Sequence, residues 1–519
     1  MIIDSKDGQN VFFLRLKKNG LRIASSLVER GLLSDSLRDT VMNLLEKQVL
    51  ARLKSGFDPR RPERVYRDQE DMVLALLGSA RRALERGQIS RPALHGLLRT
   101  LLAQVAFRQD GTLKAAEEQF AKRHEGQAPP LLLVISPTQT CNLRCRGCYA
   151  SSGSEGAKLE QEVFDRLLFE AEKQWGIRFI TLSGGEPLTY RSGGKDLLDM
   201  VGRHSESFFL MFTNGTLIDQ QTAEAMAEAG NLIPAISVEG FRTRTDRRRG
   251  EGTFSAVLRG MSFLRRAGVP FGISLTATRW NAEEILSDEF LKLFFEEQQA
   301  VFGWIFQYMP IGRGYDPELM VTPQQRLWMW RRTWQIIRER KIMLADFWNC
   351  GTVSNGCIAA GRSGGGGYLY IDWNGKVMPC VFVPYSAGNV REMYAQGGTL
   401  DDIYDAPYFR SIRQWQREYA LGKEKPEECG NWLTPCSLRD HYETGRNLIE
   451  IHRPEPEDEA AARALRDGVY AHAMFAYDHE LYTLFDPIWE REYLVPPKER
   501  ELSSPRRTDS SRPAFPACR

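Results

Sequence analysis

The stretch Cys141-Asn142-Leu143-Arg144-Cys145-Arg146-Gly147-Cys148 follows closely on an apolar run, Leu131-Leu132-Leu133-Val134-Ile135. Its C-x3-C-x2-C spacing offers three thiolates, one too few to fill a [4Fe–4S] cube, which normally takes four cysteines, one per iron. Three leave one iron open to another ligand. The competing reading is a zinc site. Zinc motifs usually pair two C-x2-C knuckles or add histidines, and no histidine lies between His124 and His204. The apolar run suits a strand buried on both faces, which places the cysteines beyond a strand's carboxyl end.

Strand and helix patterns alternate from there. Residues 159–175 place Val163, Leu167, Leu168, Ala171 and Trp175 at helical spacing, and residues 177–182 are strand-like again. Strand patterns recur at 208–213, 232–238, 270–277 and 301–309, with helical patterns at 195–201, 221–229, 253–267 and 283–296. This alternation argues for parallel strands joined by helical crossovers, about six units, short of the eight of a closed barrel. In such sheets ligands collect beyond the carboxyl ends of the strands.

The conspicuous residues sit at those ends. Ser183-Gly184-Gly185-Glu186-Pro187 follows the second strand, Thr213-Asn214-Gly215-Thr216 the third, and Ser237-Val238-Glu239-Gly240 the fourth, with Asp246-Arg247-Arg248-Arg249-Gly250 beyond. Together with the cysteine motif they resemble the signatures of the radical SAM superfamily. The resemblance implies a partial (βα)6 barrel whose cluster, held by Cys141, Cys145 and Cys148, binds S-adenosylmethionine at the open iron and cleaves it to a 5′-deoxyadenosyl radical. That radical takes a hydrogen atom from an unreactive C–H bond. The GGEP-like loop implies that Gly184, Gly185 and Glu186 hold the methionyl amine, Ser237 contacts the ribose, and Arg249 pairs with the methionyl carboxylate. Asn214 lines the same face. The family usually has an aromatic residue just before the third cysteine, packed on adenine; here that place is Gly147, and Tyr149 follows the cysteine. The plainer readings are a proline-ended turn at 183–187 and a solvated arginine run at 244–249.

A second iron signal follows the barrel. Cys357, the glycine run 364–367, Tyr368–Asp372 and Gly375-Lys376-Val377-Met378-Pro379-Cys380 resemble the opening half of SPASM and Twitch auxiliary-cluster domains. The dense closing group of cysteines is absent, so a Twitch-like domain with one auxiliary [4Fe–4S] cluster on Cys357, Cys380, Cys429 and Cys436 is implied. Cys350 is a rival for one of those places, and buried unligated thiols are the plainer alternative.

The N-terminal part has no cysteine before Cys141 and almost no strand pattern. Residues 20–31, 37–53, 71–86 and 92–106 read as helices. In the last, Leu94, Leu97, Leu98, Leu101, Leu102 and Val105 form an apolar stripe flanked by Arg91, Arg99 and Arg108. Such a stripe is the core face of a bundle or, alternatively, an acyl groove or membrane-surface contact. The division expected is a helical domain over 1–128, the barrel over 129–345, the auxiliary domain over 346–450, a helical segment over 451–493 and a disordered tail over 494–519. The fold class is α/β.

Formal charge is +2 in 519 residues, too balanced to suggest nucleic acid. Residues 1–6 show no signal peptide, and oxygen-sensitive clusters with reduced thiols fit the cytoplasm. A reducing partner such as flavodoxin or ferredoxin is implied. The primary expectation is an enzyme that modifies a peptide or protein. The alternatives are C–C bond formation or dehydrogenation on a lipid or small metabolite, and a non-catalytic iron–sulfur electron carrier. Tyr308, Arg313, Trp328, Trp330 and Trp334 are groups that could meet a substrate, although aromatics at this spacing are more often core.

Overall fold

The computed structural model describes residues 27–98 and 112–495. The expected helix and stripe at 99–106, Arg108 and nearly all of the expected tail lie outside them.

A ten-stranded sheet organises the chain. Its first six strands fall where the apolar runs stand: β1 Leu132–Ile135, β2 Phe179–Leu182, β3 Phe208–Thr213, β4 Leu232–Val238, β5 Gly272–Ala277 and β6 Phe302–Gln307. All pair in parallel, in chain order. The sheet then exceeds the expected six on both sides. Beyond β6 lies β7 Met343–Asp346, and on the far side of β1 lies β8 Tyr368–Ile371, both parallel to their neighbours. Antiparallel β9 Lys376–Met378 and β10 Gly388–Asn389 complete the order β10-β9-β8-β1-β2-β3-β4-β5-β6-β7, so the sheet stays open. Gly375 lies in the turn between β8 and β9, and β8 is also paired with β1 of the barrel.

The crossover helices form for the reason their spacing suggests. In α1, Thr253–Ala267, the side chains of Phe254, Val257, Met261 and Leu264 fall on one face and are buried against the sheet. Gly268, at φ +68°, ends that helix in the left-handed conformation that a side chain resists. Strand periodicity does the complementary work inside. Leu132 and Val134 of β1, Phe179 and Thr181 of β2, and Leu210 and Phe212 of β3 face one cavity. Trp304 and Phe306 of β6 and Met343 and Ala345 of β7 close its other side.

The N-terminal helix Glu63–Glu85 lies against β7 and sends Met72 into the cavity. Of the described part of the apolar stripe, Leu94 and Leu98 are buried in a small core with Val28, Leu32, Met42 and Leu84, and Leu97 is half-buried. Trp330 and Trp334 are buried core residues, Trp328 is partly exposed, and none of the three reaches the cavity. The C-terminal helix Gly468–Trp489 packs on the helix Pro323–Gln335, and none of its residues lines the cavity. Among the described residues no helix is long and apolar enough to cross a membrane.

Candidate active site

The cavity has a volume of about 390 Å³ and opens at the carboxyl ends of the barrel strands. Cys141, Cys145 and Cys148 all line it, together with Tyr149, Gly184, Gly185, Asn214, Ser237 and Arg249. The residues expected around the first cluster and its cofactor are thus assembled on one surface, apart from Glu186.

The loop that carries the three thiols is fastened from several sides. Gly185 N and Glu186 N donate to the carbonyls of Thr138 and Thr140 (both 2.8 Å), zipping the 183–187 loop to the segment before Cys141. The approach is too close for any larger residue, since a Cβ on Gly185 would lie 2.2 Å from the Thr140 oxygen. Arg313 donates to the Cys145 carbonyl (2.9 Å) and to that of Ser152, and its own N–H reaches the Cys148 carbonyl (2.9 Å). Arg248 donates to the Gly147 carbonyl (3.3 Å). Cys141 Sγ accepts from Leu143 N (3.4 Å) and from Asn214 Nδ2 (3.7 Å). Burial pushes the Cys141 thiol up to about 11, against the Leu143 hydrogen bond.

Two side chains are engaged differently from the sequence expectation. Glu186 is fully buried and absent from the cavity wall. One carboxylate oxygen accepts from Leu188 N (3.2 Å) and Thr213 Oγ1 (2.7 Å), and the other accepts from Asn214 N (2.7 Å). Its carboxylate thus fixes the turn after β3, and what the loop presents to the cavity is Gly184 and Gly185. Arg249 lines the cavity but already pairs with Glu239, its Nε 2.7 Å from the carboxylate, which Arg248 also meets. Glu239 therefore shares its charge between two guanidinium groups, Arg248 and Arg249, both of which line the cavity.

Gly147 explains its own presence. It sits at φ +65°, and a Cβ there would lie 2.8 Å from Cε2 of Tyr308, a ring that also lines the cavity. The end of β6 thus supplies an aromatic ring beside the position before the third cysteine. Tyr149 turns to the neighbouring loop, its hydroxyl 2.7 Å from Ser183 Oγ and accepting from Gly184 N (3.0 Å). Burial pushes this phenol up to about 12.

The cavity continues toward the auxiliary region, where Ile358, Tyr368, Val381 and Phe382 line it. Behind them Cys357, Cys380 and Cys436 lie within electrostatic reach of one another. Burial raises all three thiols, Cys436 to about 12. Donors are aimed at their sulfurs: Tyr368 Oη (2.8 Å) and Phe382 N (3.4 Å) at Cys380, and Arg439 N (3.4 Å) at Cys436. Cys429 makes its contacts elsewhere. Its sulfur meets Arg61 Nη1 (3.6 Å) and the carbonyls of Arg60 (3.5 Å), Ala420 and Lys425. Cys350 lines the cavity near Asp346, and burial raises its thiol far above the ordinary range.

Among the described residues no three Cys, His, Asp or Glu side chains converge on a single metal ion. An iron–sulfur cube asks for something else, one thiolate for each separate iron, and soft sulfur donors without histidine suit it. The two cysteine sets fit that requirement in donor type, and the hydrogen bonds to sulfur favour the thiolate form that iron needs. The sequence offered Tyr308 and Arg313 as groups that could meet a substrate, whereas here the one packs beside Gly147 and the other fastens the cysteine loop; the loop contact of Arg248 and the sulfur contact of Tyr368 were not legible within their motifs.

Comparison with known proteins agrees with this geometry. Residues 135–288 match the family model of the radical SAM superfamily, and residues 363–431 match that of an iron–sulfur cluster-binding domain. An AdoMet-dependent heme synthase of Methanosarcina barkeri (strain Fusaro / DSM 804) is 29% identical over 357 residues, covering 63% of this chain and 97% of the relative. The mycofactocin maturase MftC of Mycobacterium ulcerans (strain Agy99) is 28% identical over 328 residues, 61% of this chain and 83% of the relative. Among solved structures, Streptococcus suis SuiB bound to precursor peptide SuiA aligns with a TM-score of 0.49 at 17% identity, over 72% of this chain and 81% of that one.

Proposed function

Because this chain is a radical SAM superfamily enzyme with an iron–sulfur cluster-binding domain after its barrel, we propose that it oxidises an apolar part of a peptide substrate. Cys141, Cys145 and Cys148 would hold the radical SAM cluster, and Cys357, Cys380 and Cys436 the auxiliary one. When bound, cluster and S-adenosylmethionine supply a 5′-deoxyadenosyl radical that removes a hydrogen atom from the substrate. This chain's residues do the rest. Gly184 and Gly185 allow close backbone approach for the methionyl end, while Asn214, Ser237 and Arg249 offer polar groups around it.

The observation that carries the reading is a cavity that runs from the three-cysteine loop to Tyr368 and Phe382 beside the auxiliary thiols. A substrate group in it meets both ends at once. Its walls are mostly aromatic and aliphatic, so the reacting group is apolar. A peptide is favoured by the likeness to the mycofactocin maturases, across more than half of this chain. The second reading is a small apolar metabolite. It is favoured by the likeness to heme synthases, matched over nearly their whole length.

An extract from deuterium-grown cells of the source organism separates the two. Incubated anaerobically with the reconstituted enzyme, S-adenosylmethionine and a reductant, it should yield 5′-deoxyadenosine carrying one deuterium. Pretreating the extract with protease, then removing the protease, should abolish the label. A label that survives protease would move the assignment to a small metabolite. The absence of any 5′-deoxyadenosine would contradict both readings and favour the electron carrier.

A further inference from the structure

Cys380 is approached by a side chain that also faces the cavity. Tyr368, the first residue of β8, is buried, and its ring forms part of the cavity wall. Its hydroxyl lies 2.8 Å from Cys380 Sγ. The direction of that bond follows from the state of the sulfur. Val381 N donates to the phenol oxygen (3.3 Å), and the phenol keeps its own proton to donate. A thiolate that binds iron carries no proton and can only accept.

We propose that Tyr368 is the positioning residue of the auxiliary cluster, donating from the cavity wall to the Cys380 sulfur and so raising the cluster's readiness to take up an electron. The inference rests on the reading that Cys380 ligates a cluster. Hydrogen bonds to a cluster's sulfurs stabilise the more negative, reduced state and raise its potential. Phe382 N adds a second bond to the same sulfur (3.4 Å), but a backbone donor persists under any ordinary substitution. Tyr368 is the member of the pair that a substitution can remove. β8 is also hydrogen-bonded to β1, the strand that leads into the three-cysteine loop, so the phenol is fixed relative to both iron sites. An electron leaving a substrate in the cavity would meet Tyr368 before Cys380.

The test is an anaerobic potentiometric titration of the reconstituted holoenzyme, followed by electron paramagnetic resonance, with iron counted in each sample. Tyr368→Phe keeps the ring and removes the donor. At a fixed poise the ratio of reduced to oxidised auxiliary cluster should fall about tenfold, or about 59 mV for a one-electron couple. The signal that responds to S-adenosylmethionine should titrate as in the wild type. Tyr404→Phe is the control, because that buried hydroxyl has no hydrogen-bond partner among the described residues. An unshifted auxiliary potential in Tyr368→Phe at full iron content overturns the inference, as does an equal shift in Tyr404→Phe. Wild-type protein with the iron of one cluster only would overturn the ligand reading beneath it, and iron counting distinguishes that failure from the others.

Discussion

At the scale of single residues, the site depends on places where only one side chain fits. Gly147 is the clearest, held at a positive φ with the Tyr308 ring where its Cβ would be. Gly147→Ala should cost about 1–3 kcal/mol for the strained backbone and the contact, seen as a lowered melting temperature. Combining it with Tyr308→Ala should return the contact part and leave the backbone part, so the pair should be non-additive in a double-mutant cycle. Strict additivity would mean that the ring and the loop do not press on one another. Glu186 teaches a related lesson. Its place in the Gly-Gly-Glu run was legible, but its three hydrogen bonds run to its own loop and the next one, which no local spacing reveals.

At the scale of elements, the auxiliary thiols depend on one buried ion pair. Arg326, on the helix Pro323–Gln335, and Asp440 are both fully buried and meet through two guanidinium nitrogens, the longer contact at 3.0 Å. Asp440 also accepts from Cys436 N (3.1 Å), so the pair fixes the loop that carries that thiol. Asp440→Asn leaves a buried guanidinium without its charge partner and should cost about 3–5 kcal/mol. A chemical-denaturation curve reads that loss, and iron content should fall with it. Unchanged stability would show that the helix does not anchor the loop. The six barrel strands were legible because each is an apolar run bounded by turn residues. β7 was not, being four residues that end on a buried acid, Asp346. β8 reads locally as one arm of a hairpin, and its parallel pairing with β1 joins residues far apart in the chain. The surroundings of Cys429 were not legible for the same reason, because its guanidinium neighbour Arg61 is 368 residues away.

At the scale of the whole molecule, the N-terminal helices are tied to the region after the barrel. The two ring nitrogens of His124 lie between Asp401 (2.8 Å) and Asp405 (2.7 Å), while Arg123 and Trp175 Nε1 also reach Asp401 (2.6 and 2.7 Å). Burial alone would raise the Asp401 carboxyl, but the bonds from His124, Arg123 and Trp175 overcome it and hold the group at about 2. A carboxyl depressed in the folded state stabilises the fold above its unfolded value and loses that contribution on acidification. The clamp's contribution should therefore be intact above about pH 4 and disappear toward pH 2. Asp401→Asn should flatten this part of an acid-unfolding profile; a profile with the wild-type slope would show that the clamp is not coupled to folding.

The central claim is that one chain carries two separate iron sites on two cysteine sets. Iron and sulfide counted after anaerobic reconstitution test it, with the wild type beside Cys141→Ala/Cys145→Ala/Cys148→Ala. Two [4Fe–4S] clusters predict about eight irons in the wild type and about four in the variant, the remainder held by the thiols around Cys380. An iron-free variant would contradict the account and make Cys357, Cys380 and Cys436 structural residues of a single-cluster enzyme.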